Sequence, residues 1–329
     1  MTLNLSRRTP RRILAAALGL SLAVGLAACS NDDSDSSAAT DSTTSENDSS
    51  VPAGYYPHTQ KTSRGDITIE SQPTRVVALT ANIADEMLSL GVTPVAVATT
   101  PEQLDTYYPW VADELRDLAD PNLIKSNDVN IEAVAEHNPD LVIGQSAHFT
   151  DDADWDKIQS VTTTIVPESS AANAGWEKSL ETTAAALGLK EKAEGIITDI
   201  KDSYSRTGVS SKGKTYNFLS FWNNSFGFPN GTPFELFGLV PAENQGAMVG
   251  KKLSRENMDQ IQSDFLVIYL EDEKTRDDLR NDPAFQNIPA VKKGNYEFVG
   301  TVVTTALGGG VSALYWLLDR ISPIVEKLK

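Results

Sequence analysis

The hydrophobic pattern cuts the chain into three stretches of different character. Residues 13–28 (ILAAALGLSLAVGLAA) are apolar without interruption. From Ser30 to about Gly54 large apolar side chains almost vanish, and Ser, Asp, Thr and Asn take over. Beyond that, short β-branched runs alternate with segments of helical spacing to the end of the chain. Residues 75–79 (RVVAL) read as a buried strand, 85–90 as a helix closed by Gly91, and 94–98 as the next strand. Residues 131–137 form a helix that Asn138-Pro139-Asp140 stops, and 141–144 and 163–166 are further strands. Strands alternating with helices predict parallel sheets built from βαβ units.

The same grammar restarts after residue 213. Residues 216–221 (YNFLSF), 265–270 (FLVIYL) and 296–299 read as strands. Residues 233–239, 254–261 and 312–327 read as helices, the second with Ser254 as its N-cap and Glu256 in its first turn. Between the two halves, residues 176–187 are helical and end at Gly188. Residues 190–206 then carry Ala193, Ile196, Ile197, Ile200 and Tyr204 as one apolar stripe. At 1.5 Å per residue that helix spans about 25 Å. The expected architecture is two Rossmann-like α/β lobes, 55–189 and 208–329, bridged by one long helix at 190–207, with a cleft between them.

The first apolar stretch is too short for a membrane span, which needs about 20 residues. Arg7, Arg8, Arg11 and Arg12 precede it, so residues 1–28 read as a signal peptide. Leu26-Ala27-Ala28-Cys29 resembles the lipobox of bacterial lipoproteins. That resemblance implies cleavage before Cys29, a lipid on its thiol and attachment to the outer face of the cell membrane. Cys29 is the only cysteine, so no disulfide can form within the chain. Residues 29–54 read as a disordered tether, with an r.m.s. span of about 25–30 Å.

The formal net charge is −17, and more negative once the arginine-bearing signal segment is removed. That disfavours nucleic acid as a partner, because affinity there comes from basic side chains on phosphate. Enzyme signatures are missing: the chain has no Gly-x-Ser-x-Gly, no Walker loop and no His-Glu-x-x-His. Gly308-Gly309-Gly310 lacks the lysine and the spacing of a P-loop. Three histidines are too few and too scattered for a direct metal cage: His58 falls in the first strand or tether, His137 reads as solvated surface, and His148 follows a strand. No resident cofactor is expected, and the body reads as a monomer.

Residues 73–79 (PTRVVAL) with 88–95 (LSLGVTPV), Asn130-Ile131-Glu132 with 138–143, and Leu253-Ser254-Arg255-Glu256 with 264–268 resemble the siderophore-type substrate-binding proteins of ABC importers. Residues 289–294 and 308–313 extend the similarity over nearly all of 65–325. The resemblance implies two α/β lobes, one bridging helix, a ferric siderophore held in the cleft, and permease subunits that meet Glu132 and Glu256. Ligands of open α/β sheets bind outside the carboxyl ends of the strands. That rule selects Thr80, Asn82, Thr100, Tyr107, Tyr108, Trp110, Gln145, Ser146, His148 and Phe149 in the first lobe. In the second it selects Trp222, Asn223, Glu271, Thr304 and Thr305. Aromatic and uncharged polar groups suit a bulky polar ligand, and the scarcity of arginine favours a hydroxamate or mixed-type siderophore over a tris-catecholate. Haem, with His148 and Tyr269 as iron ligands, a corrinoid, or a partner protein in the same cleft are the alternatives.

Overall fold

A computed structural model describes residues 51–126, 128–169, 174–209, 211–247, 251–326 and 328. The predicted signal peptide, Cys29 and residues 30–50 of the predicted tether lie outside the described residues. Residues 51–54, also assigned to the tether, belong to the body instead. Val51 packs on the core and sits so close to Gly188 that a β-carbon there would lie 2.7 Å from its Cγ1. Next to it, the hydroxyls of Tyr55 and Tyr56 donate to the carbonyls of Ala185 and Ala186.

The first lobe opens with a hairpin, β1 (His58–Thr62) and β2 (Gly65–Ile69). There follow β3 (Val76–Ala78), α1 (Ala81–Ser89), β4 (Ala96–Val97), α2 (Pro101–Tyr107) and α3 (Ala112–Leu115). A two-stranded ribbon, β5 (Ile124–Lys125) and β6 (Asp128–Val129), leads to α4 (Ile131–Glu136), β7 (Leu141–Ile143), α5 (Asp152–Val161), β8 (Thr164–Ile165) and α6 (Trp176–Leu187). The sheet has the order β4-β3-β7-β8 and is parallel throughout. Every residue of β3 and β7 is buried, as expected where helices cover both faces of a parallel sheet. Thr80 starts α1: its hydroxyl accepts the N–H of Ile83 at 3.1 Å.

α7 (Lys190–Arg206) follows with the bounds its apolar stripe predicts, and Ala193, Ile197, Ile200 and Tyr204 are buried. It packs on α6 and on a 3-10 turn, Thr232–Phe237, of the second lobe. The second lobe contains β9 (Thr215–Trp222), β10 (Ser225–Gly227), β11 (Val240–Pro241), α8 (Glu243–Ala247), β12 (Lys252–Ser254) and β13 (Phe265–Tyr269). Then come α9 (Glu273–Arg280), α10 (Pro283–Gln286), α11 (Pro289–Lys292), β14 (Tyr296–Val299), α12 (Thr301–Leu307) and α13 (Val311–Val325).

The second sheet departs from the expected parallel one. Its order is β12-β10-β9-β13-β14, with β11 also on β9. β9, β13 and β14 run parallel, but β10 lies antiparallel to both of its neighbours, β9 and β12. The cause is local: Asn223 and Asn224 both adopt positive φ, +47° and +59°, which turns β9 straight into a hairpin instead of into a helix. Two predicted helices are also tighter than expected. Residues 233–239 and 254–261 contain 3-10 turns, the second broken at Asn257, and Ser254 makes no side-chain cap.

The lobes share one apolar core. Met87 and Leu180 of the first lobe, Ile200 of α7, and Phe234, Leu314 and Leu317 of the second belong to one buried cluster. The described residues from Val51 onward accordingly belong to one compact unit. Smaller clusters cover the outer side of each sheet. Among the described residues, no helix is long and apolar enough to cross a membrane.

Candidate functional site

The carboxyl ends of the first lobe's strands form a rim that is half-buried and already hydrogen-bonded. Thr80 caps α1, and Thr100 caps α2 by accepting the N–H of Gln103 at 3.1 Å. Gln103 returns a side-chain oxygen to the Thr100 N–H, so both orphan donors at that helix start are satisfied. Tyr108 and Trp110 follow α2 and lean edge to face, with centroids 5.8 Å apart. Trp110 also lies 5.3 Å from Trp316 on α13, so an aromatic contact joins this rim to the closing helix of the other lobe. Tyr107 is half-buried beside them. Asn82 sits in the first turn of α1 and its amide reaches the Gly308 backbone, where a β-carbon would lie 3.0 Å from Nδ2.

After β7, Gln145 donates from Nε2 to the Ser179 hydroxyl at 3.3 Å. Ser146 pairs with Ser63 of the β1–β2 turn at 2.8 Å. His148 accepts the Gln145 N–H on Nδ1 at 3.1 Å. Burial lowers its pKa to about 4, so the ring is neutral and carries its proton on Nε2. Of the two ligands that the haem alternative expects, His148 thus has its Nδ1 engaged by the backbone. The other proposed ligand, the Tyr269 hydroxyl, bonds Thr301 Oγ1 at 3.1 Å.

Phe149 corrects one expectation. It is 1% exposed and packs edge to face on Trp155 inside the first lobe's outer core. The polar loop after β7 turns back into the sheet here, so a large apolar ring at its end is drawn into the core.

The second lobe's rim is open. Trp222 is 76% exposed at the hairpin tip, and Asn223 beside it is also exposed. Glu271 is exposed, but its carboxylate accepts the Thr301 N–H and so caps α12, whose own N-cap is Gly300. That hydrogen bond holds the Glu271 carboxyl below the usual range. Thr304 and Thr305 lie half-buried on α12, which packs across α2 of the first lobe.

Four of these residues hold buried polar atoms without a partner: Asn82 Oδ1, Trp110 Nε1, Gln145 Oε1 and Thr304 Oγ1. An unpaired buried donor or acceptor costs roughly 1–3 kcal/mol. All four come from segments that follow strand ends, and they belong to both lobes. They are two amide oxygens, one indole N–H and one hydroxyl. A groove of about 780 Å³ lies elsewhere, along α7 and the start of α6, lined by Trp176, Lys201, Thr232 and Glu235 among others. None of the predicted ligand residues lines it.

Glu132 and Glu256 stand where their motifs place them, near the starts of the segments that precede β7 and β13. Both are exposed. Glu132 pairs with Lys157 at 3.1 Å, which holds its carboxyl below the usual range. Glu256 sits in a 3-10 turn. His137 is not free surface as expected: its Nε2 pairs with Asp120 at 2.8 Å.

The pattern of polar and apolar positions missed two acids. Asp85 and Glu86, adjacent on α1, are buried. Glu86 accepts the Thr183 hydroxyl at 2.6 Å, and burial pushes its pKa up to about 7. Asp85 accepts the backbone N–H groups of Ser312 and Ala313, and burial pushes it up to about 6. The available signal was an acid pair inside an otherwise apolar helix stretch.

A family model described as periplasmic binding protein matches residues 76–296. The protein named "Probable siderophore-binding lipoprotein YfiY" of Bacillus subtilis (strain 168) is 27% identical over 286 residues, covering 79% of this chain and 85% of its own. Among solved structures, Streptococcus pneumoniae TIGR4 PiaA in complex with ferrichrome superposes with a TM-score of 0.69 at 20% identity. It covers 82% of this chain and 99% of its own. Staphylococcus aureus SirA complexed with staphyloferrin B gives 0.67 at 18% identity, covering 82% and 98%.

Proposed function

Because the chain belongs to the periplasmic binding protein family, we propose that it is a lipid-anchored extracytoplasmic receptor that holds a ferric siderophore between its lobes and delivers it to an ABC importer. The carrying observation is the set of unpartnered buried polar atoms, Asn82 Oδ1, Trp110 Nε1, Gln145 Oε1 and Thr304 Oγ1, contributed by strand-end segments of both lobes. A chelator seated in the cleft satisfies them, and Tyr107, Tyr108 and Trp222 supply apolar faces around it. The names of the relatives, a siderophore-binding lipoprotein and a ferrichrome complex, agree with this class. Family membership also makes the chain a solute-binding protein rather than an enzyme.

The rim chemistry selects among siderophores. None of the strand-end residues named is Lys or Arg. The arginines nearest in sequence are engaged: Arg276 donates to the Leu270 carbonyl at 2.6 Å, Arg75 to the carbonyls of Asn138 and His137, and Arg116 to Asp105. A polyanionic tris-catecholate would lack cationic donors, so the receptor takes a neutral or cationic ferric hydroxamate or a mixed-type chelate. Titration with ferrichrome, ferrioxamine B, ferric enterobactin and haem, read by tryptophan fluorescence, tests this. Quenching by a hydroxamate at micromolar concentration is expected. No response to any ferric siderophore overturns the receptor reading.

Cys29 anchors the receptor, and Glu132 and Glu256 meet the permease. Glu132→Ala with Glu256→Ala should leave ligand affinity within twofold and reduce siderophore uptake to the level of a transporter-free strain. Normal uptake at equal protein level would return both residues to ordinary helix-start acids.

A further inference from the structure

The junction between α12 and α13 is Gly308-Gly309-Gly310, and each glycine faces a different residue of the first lobe or α6. A β-carbon on Gly308 would lie 3.0 Å from Asn82 Nδ2. One on Gly309 would lie 3.4 Å from Trp176 Cβ, and one on Gly310 only 2.5 Å from Asp85 Oδ2. Gly309 and Gly310 also take φ of +105° and +98°, a region that side chains other than glycine rarely adopt.

The start of α13 explains why the approach is so close. Its N-cap is Gly310, which has no side chain to cap with. The orphan N–H groups of the first turn must find acceptors elsewhere. Asp85 provides them: both carboxylate oxygens accept from Ser312 N–H, at 3.2 and 3.0 Å, and Oδ2 accepts from Ala313 N–H at 3.3 Å. A carboxylate on α1 thus caps a helix 227 residues further along the chain. Asp85 has no exposed surface, so water does not compete for these bonds. They are charge-assisted and sit on the positive end of a 15-residue helix.

We infer that Asp85 is a positioning residue for the cleft: by clamping the glycine junction and the amino end of α13, it sets where α12 presents Thr301, Thr304 and Thr305 to the first lobe's rim. Two geometric facts support it. α12 is short, seven residues, and joins α13 through those three glycines alone, so the clamp holds one of its two ends. The other end is held by Glu271 at Thr301. Asn82, which bears one of the unpaired polar atoms, also touches this junction at Gly308, so the clamp and the candidate ligand atoms share a contact. The consequence for ligand rests on the siderophore reading above, but the clamp itself does not.

The test uses the full chain and two variants, Asp85→Ala and Asp85→Asn. The asparagine keeps the shape and one acceptor oxygen, so it carries the test if the alanine variant does not fold. The first readout needs no ligand: the near-ultraviolet circular dichroism of the Trp110–Trp316 pair, which bridges the first lobe's rim and α13. We expect that signal to fall in a chain whose far-ultraviolet spectrum is unchanged, with Asp85→Asn intermediate. The second is release of ferrioxamine B or ferrichrome, whichever the wild type binds. Release should quicken about tenfold in Asp85→Asn, while association stays within twofold. An unchanged tryptophan signal overturns the clamp, and an unchanged release rate from a wild type that binds overturns its positioning role. If the wild type binds no ferric siderophore, the receptor reading fails while the ligand-free signal still decides the clamp.

Discussion

The two strand-end rims are built on opposite principles. The first lobe's rim is half-buried and spends its side chains on its own backbone: Thr80 and Thr100 cap helices, Ser146 ties down a hairpin turn, and His148 accepts a neighbouring N–H. The second lobe's rim sets an exposed Trp222 on a hairpin and leaves Asn223 and Glu271 facing solvent. Only its α12 threonines are half-buried, and they are so because α12 leans on α2 of the first lobe. A preorganised wall opposite an open one pays ordering cost mainly on one side when ligand arrives. It follows that substitutions of the side chains the first rim commits to its own backbone and core should act on stability, and those of the exposed residues of the second on affinity.

The largest expected effect tests the first half of that statement. Phe149→Ala removes a fully buried ring and should destabilise the fold by about 3–5 kcal/mol, measured by denaturant unfolding. A change under about 1 kcal/mol would mean that Phe149 faces the cleft after all.

Next comes pH, through the buried acids behind the first rim. Glu86 is wholly buried and carries a raised pKa of about 7 against an ordinary 4.5, with Asp85 beside it and Thr183 and Ser179 around it. A folded-state pKa raised by burial means the native chain holds its proton longer than the unfolded chain does. The contribution of Glu86 therefore falls as pH rises from about 4.5 to 7, by a few kcal/mol. Glu86→Gln should flatten the stability profile across that window and gain stability relative to wild type at pH 7.5. An unaltered slope would contradict the burial of this carboxyl.

Trp222→Ala examines the open rim. Exposed at 76%, it should alter stability by less than about 0.5 kcal/mol, yet weaken ferric hydroxamate binding about tenfold or more. Full affinity in the variant would remove the hairpin from the site and erase the contrast between the rims.

The smallest effect concerns His148. Its pKa is lowered to about 4 by burial, so the unfolded chain binds a proton between pH 6.5 and 4 that the native ring refuses. Its contribution to stability is present above pH 6.5 and shrinks as pH falls toward 4, opposite in sign to that of Glu86. His148→Gln should lessen the acid loss by about 1–2 kcal/mol at pH 5. It should cost the ligand no more than about 1–2 kcal/mol. Loss of all binding would reopen direct metal ligation.

Much of this was legible in the chain itself. β-branched runs placed β3, β7 and β13, because a strand covered on both faces is mostly apolar, and short aromatic-rich runs placed β9 and β14. The stripe from Ala193 to Tyr204 placed α7 to the residue, since helical spacing and burial of one face are a local matter. Order of motifs identified the family. The strand-end rule proposed a place for ligand, and Asn82, Trp110, Gln145 and Thr304, which hold unpaired buried polar atoms, are among the residues it chose.

What the tertiary structure alone decided depends on contacts between residues far apart in sequence. Nothing within residues 305–315 says that a triple glycine exists to admit Asp85, Asn82 and Trp176. Nothing near Asp85 says that its carboxylate caps a helix in the other lobe. Phe149 and Trp222 are both aromatic residues at or just after the end of a strand. One is buried and the other exposed, because the first meets Trp155 across a folded-back loop while the second ends on an asparagine hairpin. Periodicity reports which face of an element is apolar. Which neighbour covers that face, and whether a polar side chain finds a partner there, is settled only when the distant parts of the chain come together.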